Sequence, residues 1–151
     1  IKKHFLDSFS ILEFIQSGLL LDVGSGAGLP GIIIAIMKPK TNVFVIDSVG
    51  KKCRFMRTVK TELGLENLTV INDRVESFSY PESFSQITSR AFASAIDTVN
   101  KTKHLISNDG RYLLMKGDNI AKENIENMKS TVHILKVPFV SDNRSLLEIK
   151  I

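Results

Sequence analysis

The sequence has little cysteine, little histidine and no long apolar segment. It holds one cysteine in 151 residues, which excludes an internal disulfide and predicts a reducing compartment, the cytoplasm. The longest nearly apolar run, residues 29–37, is far shorter than the roughly 20 residues that a membrane-spanning helix needs. The first residues also lack the unbroken apolar core of a signal peptide. The three histidines, His4, His104 and His133, show no clustered spacing and therefore indicate neither a histidine base nor a metal site.

The composition is that of an ordinary globular protein. Hydrophobic residues make up 43% of the chain and charged residues 24%, unlike a disordered or a membrane protein. The length predicts a single domain over residues 1–151. The formal net charge of +4 is compatible with a polyanionic partner such as RNA but does not require one.

Apolar runs and turn residues predict alternating strands and helices. The predicted strands cover residues 19–23, 42–46, 68–72, 86–89, 111–116, 131–137 and 145–151. The predicted helices cover residues 4–16, 30–37, 50–63, 94–105 and 119–128. This alternation indicates an α/β fold, with a mostly parallel seven-stranded sheet, helices on both faces and a C-terminal antiparallel hairpin.

Two predicted helices have an apolar face that should pack on the sheet. In the first, Phe5 and Phe9 recur at helical spacing with Leu12 and Ile15. In the helix over 50–63, the shared face consists of Met56, Val59 and Leu63, and Gly64 is the expected cap. Asn108, Asp109 and Gly110 indicate a turn before the strand over 111–116.

Two glycine patterns overlap after the first predicted strand, in LDVGSGAGLPG at residues 21–31. Gly24, Gly26 and Gly28 form G-x-G-x-G, whereas Gly26, Gly28 and Gly31 form the G-x-G-x-x-G of a dinucleotide-binding turn. Both patterns bring backbone N–H groups close to a ligand. A P-loop is excluded, because isoleucines rather than Lys-Ser/Thr follow Gly31.

Two carboxylates discriminate between these patterns. Asp47, at the end of the second strand, suits the ribose hydroxyls of either NAD or S-adenosylmethionine. Asp22 would repel the pyrophosphate of a dinucleotide, but it can pair with the cationic amino group of a methionine moiety. The sequence therefore favours S-adenosylmethionine, and Gly31 is interpreted with Pro30 as the start of a helix packed closely on the sheet. A nicotinamide-dependent oxidoreductase remains the alternative.

Short motifs along nearly the whole chain resemble the bacterial small-subunit rRNA guanine-N7 methyltransferases, the RsmG family. The shared Asp-x-Gly-x-Gly-x-Gly core occurs in methyltransferases generally, whereas the Gly-Leu-Pro-Gly ending and the SRAFAS block are specific to this family. The matching segments are KHFLDS at 3–8, LDVGSGAGLPG at 21–31, DSVGKKCRFM at 47–56, DRVE at 73–76, SRAFAS at 89–94 and LMKG at 114–117.

The resemblance implies a class I S-adenosylmethionine-dependent methyltransferase that modifies N7 of a guanine in 16S rRNA. Its partners would be 16S rRNA or the small ribosomal subunit, without a membrane or a metal, and the protein would be a monomer. The family's cofactor contacts fall on Gly24, Leu29, Val75, Glu76 and Arg90. Family members also carry N-terminal helices before KHFLDS, which this chain, beginning at Ile1, is expected to lack.

Further candidates are side chains that could bind RNA or orient the target guanine. Arg90 is the leading catalytic candidate, placed to meet the cofactor or the target nucleotide. Phe92 could stack on an unpaired guanine or belong to the core. Lys116 could contact a phosphate or simply be solvated. Basic residues of the helix over 50–63 could hold RNA phosphates or form an ordinary solvated face, and the candidates are Lys51, Lys52 and Arg54.

Overall fold

The computed structural model describes residues 2–117 and 127–151, and its centre is a seven-stranded sheet. The strands are β1 (Gly18–Val23), β2 (Thr41–Asp47), β3 (Leu68–Asn72), β4 (Phe84–Ser89), β5 (Ile106–Lys116), β6 (Lys129–Ile134) and β7 (Ser145–Lys150). Their order across the sheet is β3-β2-β1-β4-β5-β7-β6. Strands β1 to β5 are parallel, and β7 runs antiparallel to both β5 and β6. The predicted α/β sheet with its terminal antiparallel hairpin is confirmed.

Helices cover both faces of this sheet, as the alternating pattern predicts. They are α1 (Lys2–Ser10), α2 (Gly31–Met37), α3 (Gly50–Leu63) and α4 (Ala95–Thr102), with a 3₁₀ turn at Leu12–Phe14. Residues of the 3₁₀ region, α2 and α3 pack with one face of the sheet in one apolar core. Ala95 and Val99 of α4 pack with the other face in a second core. Ser94 caps α4, because its hydroxyl accepts a hydrogen bond from the Asp97 N–H.

Strand order reverses between β1 and β4, and this reversal places the candidate site. From β1 the chain builds outward through β2 to β3, and it then returns to the other side of β1 with β4 and β5. In open α/β sheets, ligands bind outside the carboxyl ends of the strands at this kind of reversal. The loops after β1, β2, β3 and β4 are therefore the segments that can form a binding site.

The first helix is shorter than the predicted one and buries a different face. It ends at Ser10, whose hydroxyl donates a hydrogen bond to the Asp7 carbonyl at 2.6 Å. Phe5 and Phe9 are 41% and 44% exposed, whereas Asp7 and Ser8 are buried. The predicted apolar face is therefore wrong for Phe5 and Phe9, whereas Leu12 and Ile15 pack in the core after the helix has ended. The buried carboxylate of Asp7 is paired with Arg144 at 3.1 Å.

Strand β5 begins five residues earlier than predicted, at Ile106. It pairs Ile106 with Phe84 but Arg111 with Gln86, so the intervening residues of β5 bulge. The turn predicted over residues 108–110 is thus an irregularity inside a strand. In α3 the bounds and the Gly64 cap are confirmed, but Leu63 is 55% exposed, and Cys53 is fully buried with Met56.

Two further sequence predictions concern a helix near residue 120 and membrane-spanning helices. Most of the helix predicted over residues 119–128 lies outside the described residues. Among the helices within 2–117 and 127–151, none combines the length and apolar character needed to cross a membrane.

Candidate functional site

A cavity of about 370 Å³ lies at the carboxyl ends of the first strands. It is bounded by the ends of β1 and β2 and by the loops after β1, β2, β3 and β4, with one residue each from α3 and α4. Its lining residues are Val23, Gly24, Ile46, Asp47, Ser48, Val49, Lys52, Asp73, Arg74, Val75, Glu76, Ala91, Phe92 and Lys101. The structure thus brings together Gly24, Asp47, Val75 and Glu76, four of the cofactor contacts predicted from the sequence.

The glycine loop after β1 requires glycine at its three G-x-G-x-G positions. Gly24, Gly26 and Gly28 all have positive φ angles, between +58° and +89°. A Cβ atom on Gly24 would lie 2.9 Å from the Phe92 ring, and one on Gly28 would lie 2.1 Å from Ile32. The loop therefore follows a backbone path that L side chains disfavour, and at Gly24 and Gly28 it also lacks room for a Cβ atom. Of the three, Gly24 lines the cavity.

Asp47 joins this loop to the end of β2. Its Oδ2 accepts a hydrogen bond from the Gly26 N–H at 3.0 Å, and its Oδ1 accepts one from the Val49 N–H at 2.9 Å. The carboxylate is 8% exposed and lines the cavity. Asp47 consequently fixes the shape of the loop and faces the space in which a ligand would lie.

Asp22 lies at the end of β1, behind the loop rather than on the cavity wall. Its carboxyl group is fully buried, and Oδ2 accepts hydrogen bonds from the Ser25 hydroxyl at 2.8 Å and the Gly31 N–H at 2.9 Å. Burial raises the pKa of Asp22 to about 7, although these two hydrogen bonds act in the opposite direction. Its Oδ1 has no hydrogen-bond partner among the described residues. Asp22 therefore has no direct access to the space of the cavity.

Gly31 has the packing role predicted for it. A Cβ atom at this position would lie 2.4 Å from Val45 and 2.8 Å from the Asp22 carboxylate. Helix α2 therefore approaches the sheet closely enough for its first N–H to bind Asp22. The close packing of α2 on the sheet explains why position 31 is a glycine. A dinucleotide-binding turn is not needed to account for it.

Glu76, Lys101 and Phe92 close the far side of the cavity. The Lys101 ammonium lies 3.5 Å from the Glu76 carboxylate and 5.4 Å from the centre of the Phe92 ring. The pKa of Glu76 is lowered, first by a hydrogen bond with its own backbone and then by Lys101. Phe92 is partly buried against the second core and also lines the cavity. Its position therefore agrees in part with a core role and in part with a role in stacking on a guanine.

Arg90 does not line the cavity that contains Gly24, Asp47, Val75 and Glu76. Its Nη1 contacts the His4 Nδ1 at 2.5 Å, and its Nε is buried without a hydrogen-bond partner among the described residues. Arg90 borders a smaller polar pocket and an apolar groove, whereas its neighbours Ala91 and Phe92 border the 370 Å³ cavity. Lys116 is in the same small pocket as Arg90, and its Nζ donates a hydrogen bond to the Ala93 carbonyl.

The remaining predicted residues are distributed around the site. Leu29 lines the apolar groove between α1, α2 and α3 rather than the large cavity. Lys51, Lys52 and Arg54 are exposed on α3, and of these Lys52 reaches the cavity wall.

Sequence reasoning missed Lys101 and gave no role to Arg144. Lys101 follows Glu76 by 25 positions and reaches it only through the packing of α4 on the sheet, so no local pattern signals it.

Among the described residues, no group of three or more His, Cys, Asp or Glu side chains is arranged to hold a metal ion.

Solved structures with this fold include several methyltransferases. A SAM-dependent methyltransferase from Aquifex aeolicus matches 99% of this chain and 92% of its own, with a TM-score of 0.75 and 15% identity. M. jannaschii TYW2 in complex with AdoMet matches 98% of this chain and 75% of its own, with a TM-score of 0.74 and 13% identity. At these identities the likeness shows the fold.

Sequence comparison shows the family. The sequence profile of the GidB family, described as rRNA small subunit methyltransferase G, matches residues 1–147. A ribosomal RNA small subunit methyltransferase G from Ruthia magnifica is 49% identical over 145 residues, which cover 96% of this chain and 71% of the relative. The protein of the same name from Pseudomonas fluorescens is 45% identical over 151 residues, covering 97% and 71%. The chain belongs to the rRNA small subunit methyltransferase G family, a family of S-adenosylmethionine-dependent rRNA methyltransferases.

Proposed function

We propose that this protein transfers the methyl group of S-adenosylmethionine to N7 of a guanine in 16S rRNA. The observation that carries the proposal is the cavity at the ends of β1 to β4, where Gly24 and Asp47 meet the Val75-Glu76 turn, in a chain of this family. Membership of the family supports the rRNA substrate. The position of the cavity at the reversal of strand order supports a bound nucleoside.

The residues present fit S-adenosylmethionine. The volume of about 370 Å³ falls within the range of small-molecule sites. Asp47 offers carboxylate oxygens to the ribose hydroxyls, and the Val75-Glu76 turn forms the wall beside it. The buried Oδ1 of Asp22 lacks a donor among the described residues, and an ordered water could connect it to the ammonium group of the methionine moiety. When bound, the cofactor supplies an electrophilic methyl group on a sulfonium ion.

The reaction requires alignment rather than proton abstraction. Guanine N7 has an in-plane lone pair and no proton, so the protein need only hold the base in line with the methyl group. Phe92 and Ala91 lie at the cavity rim, beside the pocket that contains Arg90, and this rim is where we place the target base. Arg90 would orient the nucleotide there.

The experiment is methylation of 16S rRNA isolated from a strain that lacks the gene, both as naked RNA and as assembled small subunits. Nucleoside mass spectrometry should detect 7-methylguanosine only when enzyme and S-adenosylmethionine are both present. Transfer to a small molecule with no methylated nucleoside in rRNA would overturn the substrate assignment. Tighter binding of NADH than of S-adenosylhomocysteine in calorimetry would overturn the cofactor assignment.

Three further features of the proposal remain predictions: a monomeric protein, a cytoplasmic location and a single domain that ordinarily carries additional N-terminal helices. The monomer is tested by light scattering of the full-length protein at several concentrations. A mass that rises with concentration would contradict it.

A further inference from the structure

The hairpin loop between β6 and β7 carries a fully exposed phenylalanine at its tip. The loop covers residues 135–144, and at its base the Leu135 N–H donates a hydrogen bond to the Arg144 carbonyl at 3.0 Å. Residues 134–138 and 140–144 line a concave space of about 420 Å³. Phe139 does not line this space, and its side chain is fully exposed. The ring therefore projects outward from the loop.

The backbone at Phe139 has a conformation that suits glycine rather than phenylalanine. The Val140 N–H donates a hydrogen bond to the Val137 carbonyl at 3.3 Å, so residues 137–140 form a four-residue turn. Pro138 is at the second position of this turn and Phe139 at the third, with a φ angle of +62°. A positive φ at the third position is typical of a type II turn, in which glycine or asparagine is usual. Among the non-glycine residues that the structure describes, Phe139 is the only one with a positive φ.

Packing of the Phe139 ring does not offset this strain. Leu135 and Val137 pack in the first apolar core and anchor the loop, whereas Phe139 belongs to neither core of the described residues. A bulky residue with a positive φ and an exposed ring is therefore unfavourable for the fold alone. Strain of this kind points to a functional role, and an exposed aromatic ring is what stacking on an unpaired base requires.

The loop lies at the same edge of the sheet as the candidate cofactor cavity. Strand β7 is antiparallel to β5, and its first residue, Ser145, pairs with Lys116 at the carboxyl end of β5. The loop before Ser145 therefore emerges beside the loops after β1 to β4. Strands β4 and β6 are three strand spacings apart, about 14 Å. An RNA strand with a base at Phe92, after β4, can thus reach Phe139 within a few nucleotides.

The charges of the loop are compatible with a nucleic acid. Its single carboxylate, Asp142, contacts both Lys3 and Arg144, so it is neutralised within the protein. Lys136, three residues before Phe139, is exposed and has no ion pair with a described residue. An aromatic ring close to a basic side chain is the combination found in sites for single-stranded nucleic acid. A protein partner would use the apolar surface of the ring, whereas a base would use its flat aromatic face.

We propose that Phe139 stacks on an unpaired base of the RNA substrate, a few nucleotides from the methylated guanosine. The β6-β7 loop is then a second RNA contact, outside the cofactor cavity. This inference rests on the proposed rRNA substrate and deepens it, because it names single-stranded RNA beside the target as the feature that is recognised. The turn at residues 137–140 holds the ring outward before RNA binds, which lowers the cost of ordering it.

The first test measures stacking by fluorescence, since the sequence contains no tryptophan. Phe139→Trp places an indole at the tip of the loop, and the control Tyr80→Trp places one against Phe84 at the start of β4, away from the site. A single-stranded 16S rRNA fragment should quench the indole at position 139, measured as the difference from the unmodified protein, and leave the one at position 80 unchanged. With the fragment bound, no quenching at position 139, or equal quenching at both positions, would overturn the proposal.

The second test separates aromatic stacking from apolar contact. Phe139→Leu keeps an apolar side chain and should weaken binding of the rRNA fragment about fivefold or more, whereas Phe139→Tyr keeps the ring and should bind normally. The salt dependence should not change, because no phosphate contact is lost. Ile134→Ala, which truncates another exposed apolar side chain of the same hairpin, is the control and should have no effect. Equal binding by Phe139→Leu and the unmodified protein would contradict stacking.

The strain argument has its own test. Phe139→Asn removes the ring and places a residue that tolerates a positive φ, so it should leave the urea midpoint unchanged or raise it while RNA binding weakens. A lower midpoint would show that the ring stabilises the fold, and the proposal would lose its basis.

Three further outcomes separate this proposal from its alternatives. If Phe139→Asn weakens binding to assembled small subunits but not to naked RNA, the loop contacts a protein and the proposal is wrong. If 7-methylguanosine forms and Phe139→Leu binds RNA normally, the proposed reaction stands and the stacking contact falls. If the indole at position 139 is quenched and Phe139→Leu binds weakly while no 7-methylguanosine forms, the stacking contact stands and the proposed reaction falls.

Discussion

At the scale of single residues, the glycine loop is held by two carboxylates with different surroundings. Asp47 is slightly exposed, accepts two backbone N–H groups and borders the cavity. Asp22 is fully buried, and its pKa of about 7, raised by burial, means that its charge is not fixed at neutral pH. Of the two carboxylates, Asp47 is therefore the one that both holds the shape of the glycine loop and is accessible to a ligand.

Substitution of Asp47 should weaken cofactor binding. Asp47→Ala removes the acceptor for the ribose and releases the Gly26 N–H, and we expect a loss of about 1–3 kcal/mol in S-adenosylhomocysteine affinity. Calorimetry measures this directly. Asp109→Ala, an exposed acidic residue in the β5 bulge, is the matched control. Affinity unchanged by Asp47→Ala would remove its assignment to the cofactor site.

Substitution of Gly31 should destabilise the fold. The new Cβ of Gly31→Ala would lie 2.4 Å from Val45 and 2.8 Å from Asp22, and we expect a cost of about 1–3 kcal/mol from overpacking. At Gly117 no atom of the described residues lies within 4 Å of an added Cβ, so Gly117→Ala should stay within about 0.5 kcal/mol. Urea denaturation compares the two. Similar stabilities would show that α2 can shift away from the sheet without cost.

At the scale of elements, an ion pair inside the sheet anchors the chain before β1. Arg111 of β5 pairs with Glu148 of β7 and also donates a hydrogen bond to the Phe14 carbonyl at the end of the 3₁₀ turn. His133 of β6 contacts Glu148 at 3.4 Å and stacks at an angle against Phe14, with ring centres 4.7 Å apart. Three strands and the 3₁₀ turn thus share one set of polar contacts.

This arrangement predicts a specific dependence of stability on pH. Burial alone would raise the pKa of Glu148, but hydrogen bonds from Arg111 and His133 bring it below its usual value of 4.5. The Glu148 contribution is therefore complete above the unfolded-state pKa and is lost as the pH falls through the lower folded-state pKa. Glu148→Gln should cost about 1.5–3 kcal/mol at neutral pH and less in acid. Urea denaturation over a pH series checks this, and a pH-independent difference would contradict it.

At the scale of the whole molecule, one side of the site carries exposed basic side chains. Helix α3 presents Lys51, Lys52 and Arg54 to solvent, and Lys52 reaches the wall of the cofactor cavity. An RNA strand that crosses the cavity at Phe92 would have phosphates near this helix. Such contacts release counterions, so binding should weaken steeply with salt.

The salt dependence can be assigned to α3 by substitution. In the double variant Lys51→Gln/Arg54→Gln, the slope of log K against log salt concentration for binding of an rRNA fragment should fall by about 1.4 to 1.8, because two phosphate contacts are lost. Lys103→Gln, an exposed lysine just after α4, should leave the slope unchanged. A slope unaffected by the α3 substitutions would make this helix an ordinary solvated face.

The sequence by itself determined the strand and helix order, the register of the glycine motif and the family. These features have local causes. The spacing of apolar residues and the capping residues determine where strands and helices form. Glycine is the residue that readily adopts the positive φ angles at positions 24, 26 and 28. The ribose candidate Asp47 could also be predicted, because its place at the end of the second strand depends on the strand order alone.

The tertiary structure decided which side chains share a pocket. Asp22 turned toward Gly31 rather than the cavity, α1 buried Asp7 in place of Phe9, and Arg90 contacted His4 rather than the cavity of Gly24 and Asp47. The pairs of Asp7 with Arg144 and of Glu76 with Lys101 join residues from distant parts of the chain. Periodicity and motifs report a residue's neighbours along the chain, whereas charge pairing and burial depend on contacts that only the folded sheet creates.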